Sequence, residues 1–244
     1  MKFLSFLAGA IVTLYFVMSI SCKNADSNES KSTFQTLVNT VESVAGWECV
    51  KGNGNVITKQ LTGLNGFDEV SMGVSADVEL TQGETFSVTY IGEENLLEVL
   101  EIKVKGDDLS IGNIRGKSVC PTKTLKILVT MPSIKSVSLG GSGNIYSTND
   151  FKCDNIELNI GGSGNIKMQG SAQKIEANIG GSGDIELFKM IAQKGEVNIG
   201  GSGNCDVNIE KSLEVNVAGS GDVRVKGNPS IEKNIVGSGD VTKM

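Results

Sequence analysis

Five glutamates, Glu157, Glu176, Glu196, Glu214 and Glu232, recur at intervals of 18 to 20 residues. Each stands two positions ahead of an asparagine: Asn159, Asn178, Asn198, Asn216 and Asn234. A file of carboxylates can bind divalent cations weakly or offer a charged face to a partner, and a file of amides can hydrogen-bond to itself. A second group, Glu186, Asp206 and Arg224, falls on successive repeats and pairs two carboxylates with a cation, the equipment of a carbohydrate-active enzyme. Histidine is absent, which removes His-based triads, His-ligated zinc and the usual general base at neutral pH. Beyond residue 139 only Tyr146, Phe151 and Phe188 are aromatic, poor provision for stacking sugars. The balance favours a non-catalytic protein, with no catalytic, cofactor-binding or metal-ligating residue assigned and no cofactor expected.

The five cysteines carry different chemistry. Cys22 follows a charged start at Lys2, an apolar run from Phe3 to Ile20, and the small residues Ser19 and Ser21. That order makes residues 1–21 a secretory signal. With the polar run after Cys22 it resembles a bacterial lipoprotein signal, in which the cysteine is lipidated and becomes the mature N-terminus; an uncleaved membrane anchor is the other reading. Either way the body of the protein is expected outside the cytoplasm, in the bacterial cell envelope at the outer membrane or cell surface. Residues 22–52 read as a tether. Export permits disulfides, and Cys49 and Cys120, outside the regular repeats, are the expected pair. Cys153 and Cys205 fall on core positions as small hydrophobes.

Among 244 residues, 22 Lys+Arg stand against 28 Asp+Glu, a net charge of −6. A nucleic-acid binder needs a basic face, so that partner class is set aside.

The element that must position these side chains is a repeat. Gly-Ser-Gly-Asn/Asp begins at Gly141, Gly162, Gly181, Gly201, Gly219 and Gly237. Alternating segments such as Ile156–Ile160 and Ile175–Ile179 precede the turn, and Ile145, Ile166, Ile185, Cys205, Val223 and Val241 follow it. Alternation marks half-buried strands. A rung of about 20 residues goes once around a narrow coil, and rungs stacked about 4.8 Å apart pair in parallel. One rung cannot bury its apolar face alone, so the stack is the stable unit. This predicts an all-β protein: a parallel β-helix with rungs of about 18–21 residues. The Gly-Ser-Gly step is its corner, where positive φ and close backbone approach suit glycine. The acidic or amide residue after the last glycine comes one position too early for a calcium-binding nonapeptide turn.

The repeat extends backward. Val70–Leu80 aligns with Val197–Val207, and Gly52–Val56 reads as one more corner. Between them and the regular rungs, strands are expected at Phe86–Ile91, Ile102–Lys105 and Leu109–Ile111, with a helical turn around Asn95–Leu100. Residues 53–244 are therefore one domain with an irregular N-terminal section. The last rung has no evident cap, which opens a route to a homo-oligomer through the C-terminal end.

Gly66-Phe67-Asp68-Glu69-Val70, the run Asp77–Gly83, the Asn95-Leu96-Leu97 turn and the Gly-Ser-Gly-Asn/Asp rungs, in that order, resemble the head GIN domain family of auto-transporter adhesins. The resemblance covers about residues 53–244. It implies a right-handed β-helix and an adhesive role, with a glycan or protein ligand, and it carries over no catalytic residues. A carbohydrate-active β-helix enzyme and an envelope-stress scaffold are the alternatives.

Overall fold

The structure, a computed structural model, describes residues 48–244; the signal-like segment, Cys22 and most of the tether lie outside the described residues. The N-terminal section runs β1 (Glu48–Lys51), β2 (Val56–Leu61), β3 (Glu69–Met72), β4 (Asp77–Gln82) and β5 (Ser87–Glu93). It continues through the one-turn helix α1 (Glu94–Leu97), β6 (Leu100–Lys105), β7 (Asp108–Asn113), β8 (Lys117–Cys120) and β9 (Lys126–Met131). The repeats supply β10 (Ser136–Leu139), β11 (Asn144–Ser147), β12 (Phe151–Ile160), β13 (Asn165–Ile179) and β14 (Ile185–Ile199). They end with β15 (Cys205–Gly219), β16 (Val223–Lys226), β17 (Ser230–Gly237) and β18 (Val241–Lys243).

Every pairing among β10 to β18 is parallel, and like residues face like residues from rung to rung. The all-β stacked coil expected from the repeat is what the chain forms. The Val70–Leu80 alignment also holds, since β3 lies beside β10 and β4 beside β11, both parallel. Long strands turn within the rung. In β13 the buried residues are Ile166, Met168 and Ala172, then Ile175, Ala177 and Ile179. The break in alternation after Ala172 bends the strand, so that it serves two faces of the coil. Inside, aliphatic residues stack in columns. One column reads Leu109, Val70, Val137, Leu158, Ala177, Val197 and Val215, all buried. Cys205 stands in another, between Ile185 and Val223, and Cys153 aligns with Ala172.

The corners correct one expectation. Among the Gly-Ser-Gly glycines only Gly237 has positive φ, at 138°. The demand for glycine is steric: a Cβ on Gly181 would overlap the Gly162 carbonyl oxygen, and the same holds for Gly162 on Gly141 and Gly201 on Gly181. That approach lets the Ser182 N–H donate to the Gly162 carbonyl at 3.1 Å and the Ser202 N–H to Gly181 at 3.0 Å. The next column explains why either Asn or Asp serves. The Asp184 N–H donates to Asn165 Oδ1 at 3.0 Å, Asn204 to Asp184 at 2.7 Å and Asp222 to Asn204 at 3.0 Å. What each rung needs from the one before is a short side-chain acceptor.

At the N-terminal end the pairing changes sign. β5 runs antiparallel to both β2 and β9, and β6 antiparallel to β7. α1 joins β5 to β6 with Leu96 fully buried. β1 pairs with β8, so residues 48–51 belong to a strand rather than to the tether. Cys49 and Cys120 are joined as a disulfide with Cα atoms 5.7 Å apart, within the range the bond requires. Gly52–Val56 is not a rung corner, because the strands on either side pair with β8 and β5 instead of stacking in the coil. Glu93 holds the loop there. Its carboxylate accepts from the Gly54 N–H at 2.6 Å, the Thr122 N–H at 2.8 Å and hydroxyl at 2.5 Å, and the Lys123 N–H at 3.2 Å. These donors, the Thr122 hydroxyl foremost, hold the Glu93 pKa down to about 2 against the cost of burial.

Candidate functional site

The glutamate and asparagine files form one surface. Glu157, Glu176, Glu196, Glu214 and Glu232 stand in register on adjacent strands. Like charges at this spacing repel, and two features offset it. Lys174 reaches Glu176 at 3.4 Å and Glu196 at 3.1 Å, which lowers the Glu196 pKa and raises that of Lys174. The asparagines do the rest. Asn178 Nδ2 donates to Asn159 Oδ1 at 3.0 Å, Asn198 to Asn178 at 3.0 Å and Asn216 to Asn198 at 3.1 Å. The same amides lean toward the glutamate on their own strand, at 3.0 Å for Asn159 to Glu157 and 3.2 Å for Asn216 to Glu214. The amide ladder thus screens the carboxylates it stands beside.

Next to this strip lies a groove of about 1110 Å³ across β12, β13 and β14. One wall carries Glu157, Glu176 and Lys174; the other carries Lys152, Ser171 and Ile191. Asp154, Gln173 and Gln193 lie between them, with Cys153 and Ala172. Ile191 is 47% exposed. Lys135 at one end is paired to Asp68 at 2.5 Å. The groove therefore offers amides, hydroxyls and charges of both signs along several rungs, a lining suited to hydrogen-bonding an extended polymer. The Cys153 thiol pKa is pushed up to about 11 by burial and by Asp154, so it is protonated and unreactive at neutral pH. Burial likewise raises that of Cys205.

Glu186, Asp206 and Arg224 are brought together on successive strands. Each acid has its own cation: Arg224 grips Asp206 with two bonds of 2.7 Å, and Lys167 meets Glu186 at 2.5 Å. The Asp206 pair is buried on its acid side, whereas the Glu186 pair is half exposed. Beside them β14 is irregular between Glu186 and Ile191, and Phe188 sits under Arg224 at 5.7 Å and Lys226 at 4.3 Å. Sequence reading missed the groove, because it is lined by the bends within β12, β13 and β14, where the apolar alternation breaks. The Phe188 cluster had one signal, a lone aromatic breaking the repeat.

A coil of stacked rungs with ladders and a groove on its flank is the architecture of a β-helical domain. The chain belongs to the family described as putative auto-transporter adhesin, head GIN domain, whose pattern matches residues 66–229. Solved structures share the fold. A putative adhesin from Bacteroides fragilis NCTC 9343 is 23% identical with a TM-score of 0.66, over 80% of this chain and 100% of that one. A putative lipid binding protein from Parabacteroides distasonis ATCC 8503 is 26% identical with a TM-score of 0.57, over 81% and 100%. A putative adhesin from Parabacteroides merdae ATCC 43184 is 19% identical with a TM-score of 0.52, over 81% and 99%. No curated protein matches the chain.

Proposed function

We propose that the protein is a lipid-anchored adhesin of the bacterial envelope, bound to the membrane through Cys22, whose groove holds an extended polymer, glycan or protein. The observation that carries the binding role is the groove across β12 to β14, which mixes apolar surface such as Ile156 and Ile191 with amides and charges and is flanked by the amide ladder. Pairing of Asp206 with Arg224 and of Glu186 with Lys167 favours binding over catalysis at the other cluster. The test is to display the full chain on cells and assay it against host glycans, matrix proteins and envelope polymers. Retention of a ligand that is lost in Gln173→Ala/Gln193→Ala supports the groove; binding unchanged by that pair rejects it. Labelled fatty acid incorporated by the wild type and not by Cys22→Ala supports the anchor, and equal labelling rejects it.

A further inference from the structure

The last rung keeps the outward marks of the repeat and alters two inward ones. Glu232 and Asn234 continue the columns of Glu214 and Asn216, and the Gly-Ser-Gly-Asp corner at 237–240 is intact. Inward, Ile231, Ile235 and Val241 follow Leu213, Val217 and Val223. Between them Lys233 stands over Val215 and Lys243 over Val225. Lys233 ends the column of seven buried aliphatics that begins at Leu109. Lys243 follows Val207 and Val225, both fully buried. A repeat that had merely decayed would lose its corner and its outward residue types as well; here the residue types change only at the inward positions.

The chemistry of that change is specific. A lysine stem covers apolar surface while its ammonium stays in water. Lys233 is exposed, and the Lys243 ammonium donates to Asn228 Oδ1. Among the described residues β17 pairs only with β15, and β18 only with β16, which leaves two strand edges without a partner there. An inward-pointing charge on such an edge blocks further strand addition. We propose that Lys233 and Lys243 are an end-stop: they close the apolar core to water and keep a second copy of this chain from stacking on its C-terminal end. A two-fold mate would bring the same lysines against these and seal unpaired ammonium groups inside. Head-to-tail stacking would not continue the coil either, because the edges at the N-terminal end are those of β2 and β6, which run antiparallel to the strands beside them. The end-stop therefore runs against the homo-oligomer expected from the sequence at this end, and the oligomeric state decides between them.

The test compares the full chain in detergent with Lys233→Val/Lys243→Val and Lys233→Arg/Lys243→Arg, by light scattering over a concentration series. The wild type and the arginine variant are expected to stay monomeric, while the valine variant dimerises at concentrations at least tenfold lower. A folded valine variant that stays monomeric overturns the proposal. Should that variant fail to fold, hydrogen exchange on the wild type decides. Amides of β17 that exchange rapidly at every concentration support the end-stop; protection that grows with concentration overturns it.

Discussion

The two ends of the coil solve one problem in opposite ways. At the N-terminal end the core is covered by structure: antiparallel β2 and β6, α1 with Leu96 buried, a disulfide, and a buried Glu93 that gathers two loops. At the C-terminal end no strand stacks beyond β17 or β18 among the described residues, Val236 is 69% exposed, and exposed lysines take two of the aliphatic positions. Covering an end with packed side chains adds stability there, whereas blunting it with charge only prevents association. Stability is therefore expected to decline along the coil from β9 toward β18.

The largest effect should come from the disulfide. Cys49 and Cys120 are 71 residues apart in the chain, and closing a loop of that size restricts the unfolded state by about 4 kcal/mol. Cys49→Ser/Cys120→Ser should lower the denaturation midpoint accordingly, with β1 detaching first because among the described residues its one strand partner is β8. A midpoint unchanged in the double variant would mean that the cap holds without its staple. Next in size is Leu96→Ala, a buried truncation expected to cost about 3 kcal/mol. Val236→Ala at the open end should shift stability by no more than about 0.5 kcal/mol. Equal losses at the two sites, measured by urea unfolding, would erase the contrast between the ends.

Acid should act on the same end. The Glu93 pKa is held at about 2, below the ordinary glutamate value of 4.5. A carboxylate depressed in the folded state contributes stability that is fully present above about pH 4.5 and lost as pH falls toward 2. Hydrogen exchange at β1, β2 and Thr122 should therefore accelerate between those values in the wild type. In Glu93→Gln the same amides should exchange faster already at pH 7, with little further dependence on acid through this window. A wild-type profile as flat as that of the variant would show that Glu93 does not hold the cap.

What the sequence made legible follows the same division. Rungs see the same neighbours above and below, so their needs recur in the chain. The strand alternation, the Glu and Asn files, the Cys153 and Ala172 column and the worn rung at Val70–Leu80 could all be read from recurrence. The N-terminal cap depends on contacts made once, such as Glu93 with Gly54 and Thr122, 39 and 29 residues apart. Nothing in the chain repeats them, so Gly52–Val56 passed for a corner and residues 48–51 for tether. The corner glycines were found for a partly mistaken reason: recurrence marks a position as constrained without saying whether φ or a neighbouring carbonyl imposes the constraint. Lys233 was visible as the one charge at its position in Ile231–Ile235, and its meaning depended on knowing that the column beneath it is buried.

The finest test of the gradient lies within the amide ladder. Asn198 donates to Asn178 Oδ1 at 3.0 Å and accepts from Asn216 at 3.1 Å, whereas the ladder stops at Asn216 and Asn234 is exposed. Asn198→Ala removes two ladder bonds in a half-buried row and brings Glu196 closer to unscreened repulsion, a loss of about 1–2 kcal/mol. Asn234→Ala removes an exposed side chain and should change stability by less than about 0.5 kcal/mol. Urea unfolding of the two variants measures the difference directly. If Asn234→Ala costs as much as Asn198→Ala, the terminal rung is held as firmly as the middle of the stack, and something other than the described strands must be covering it.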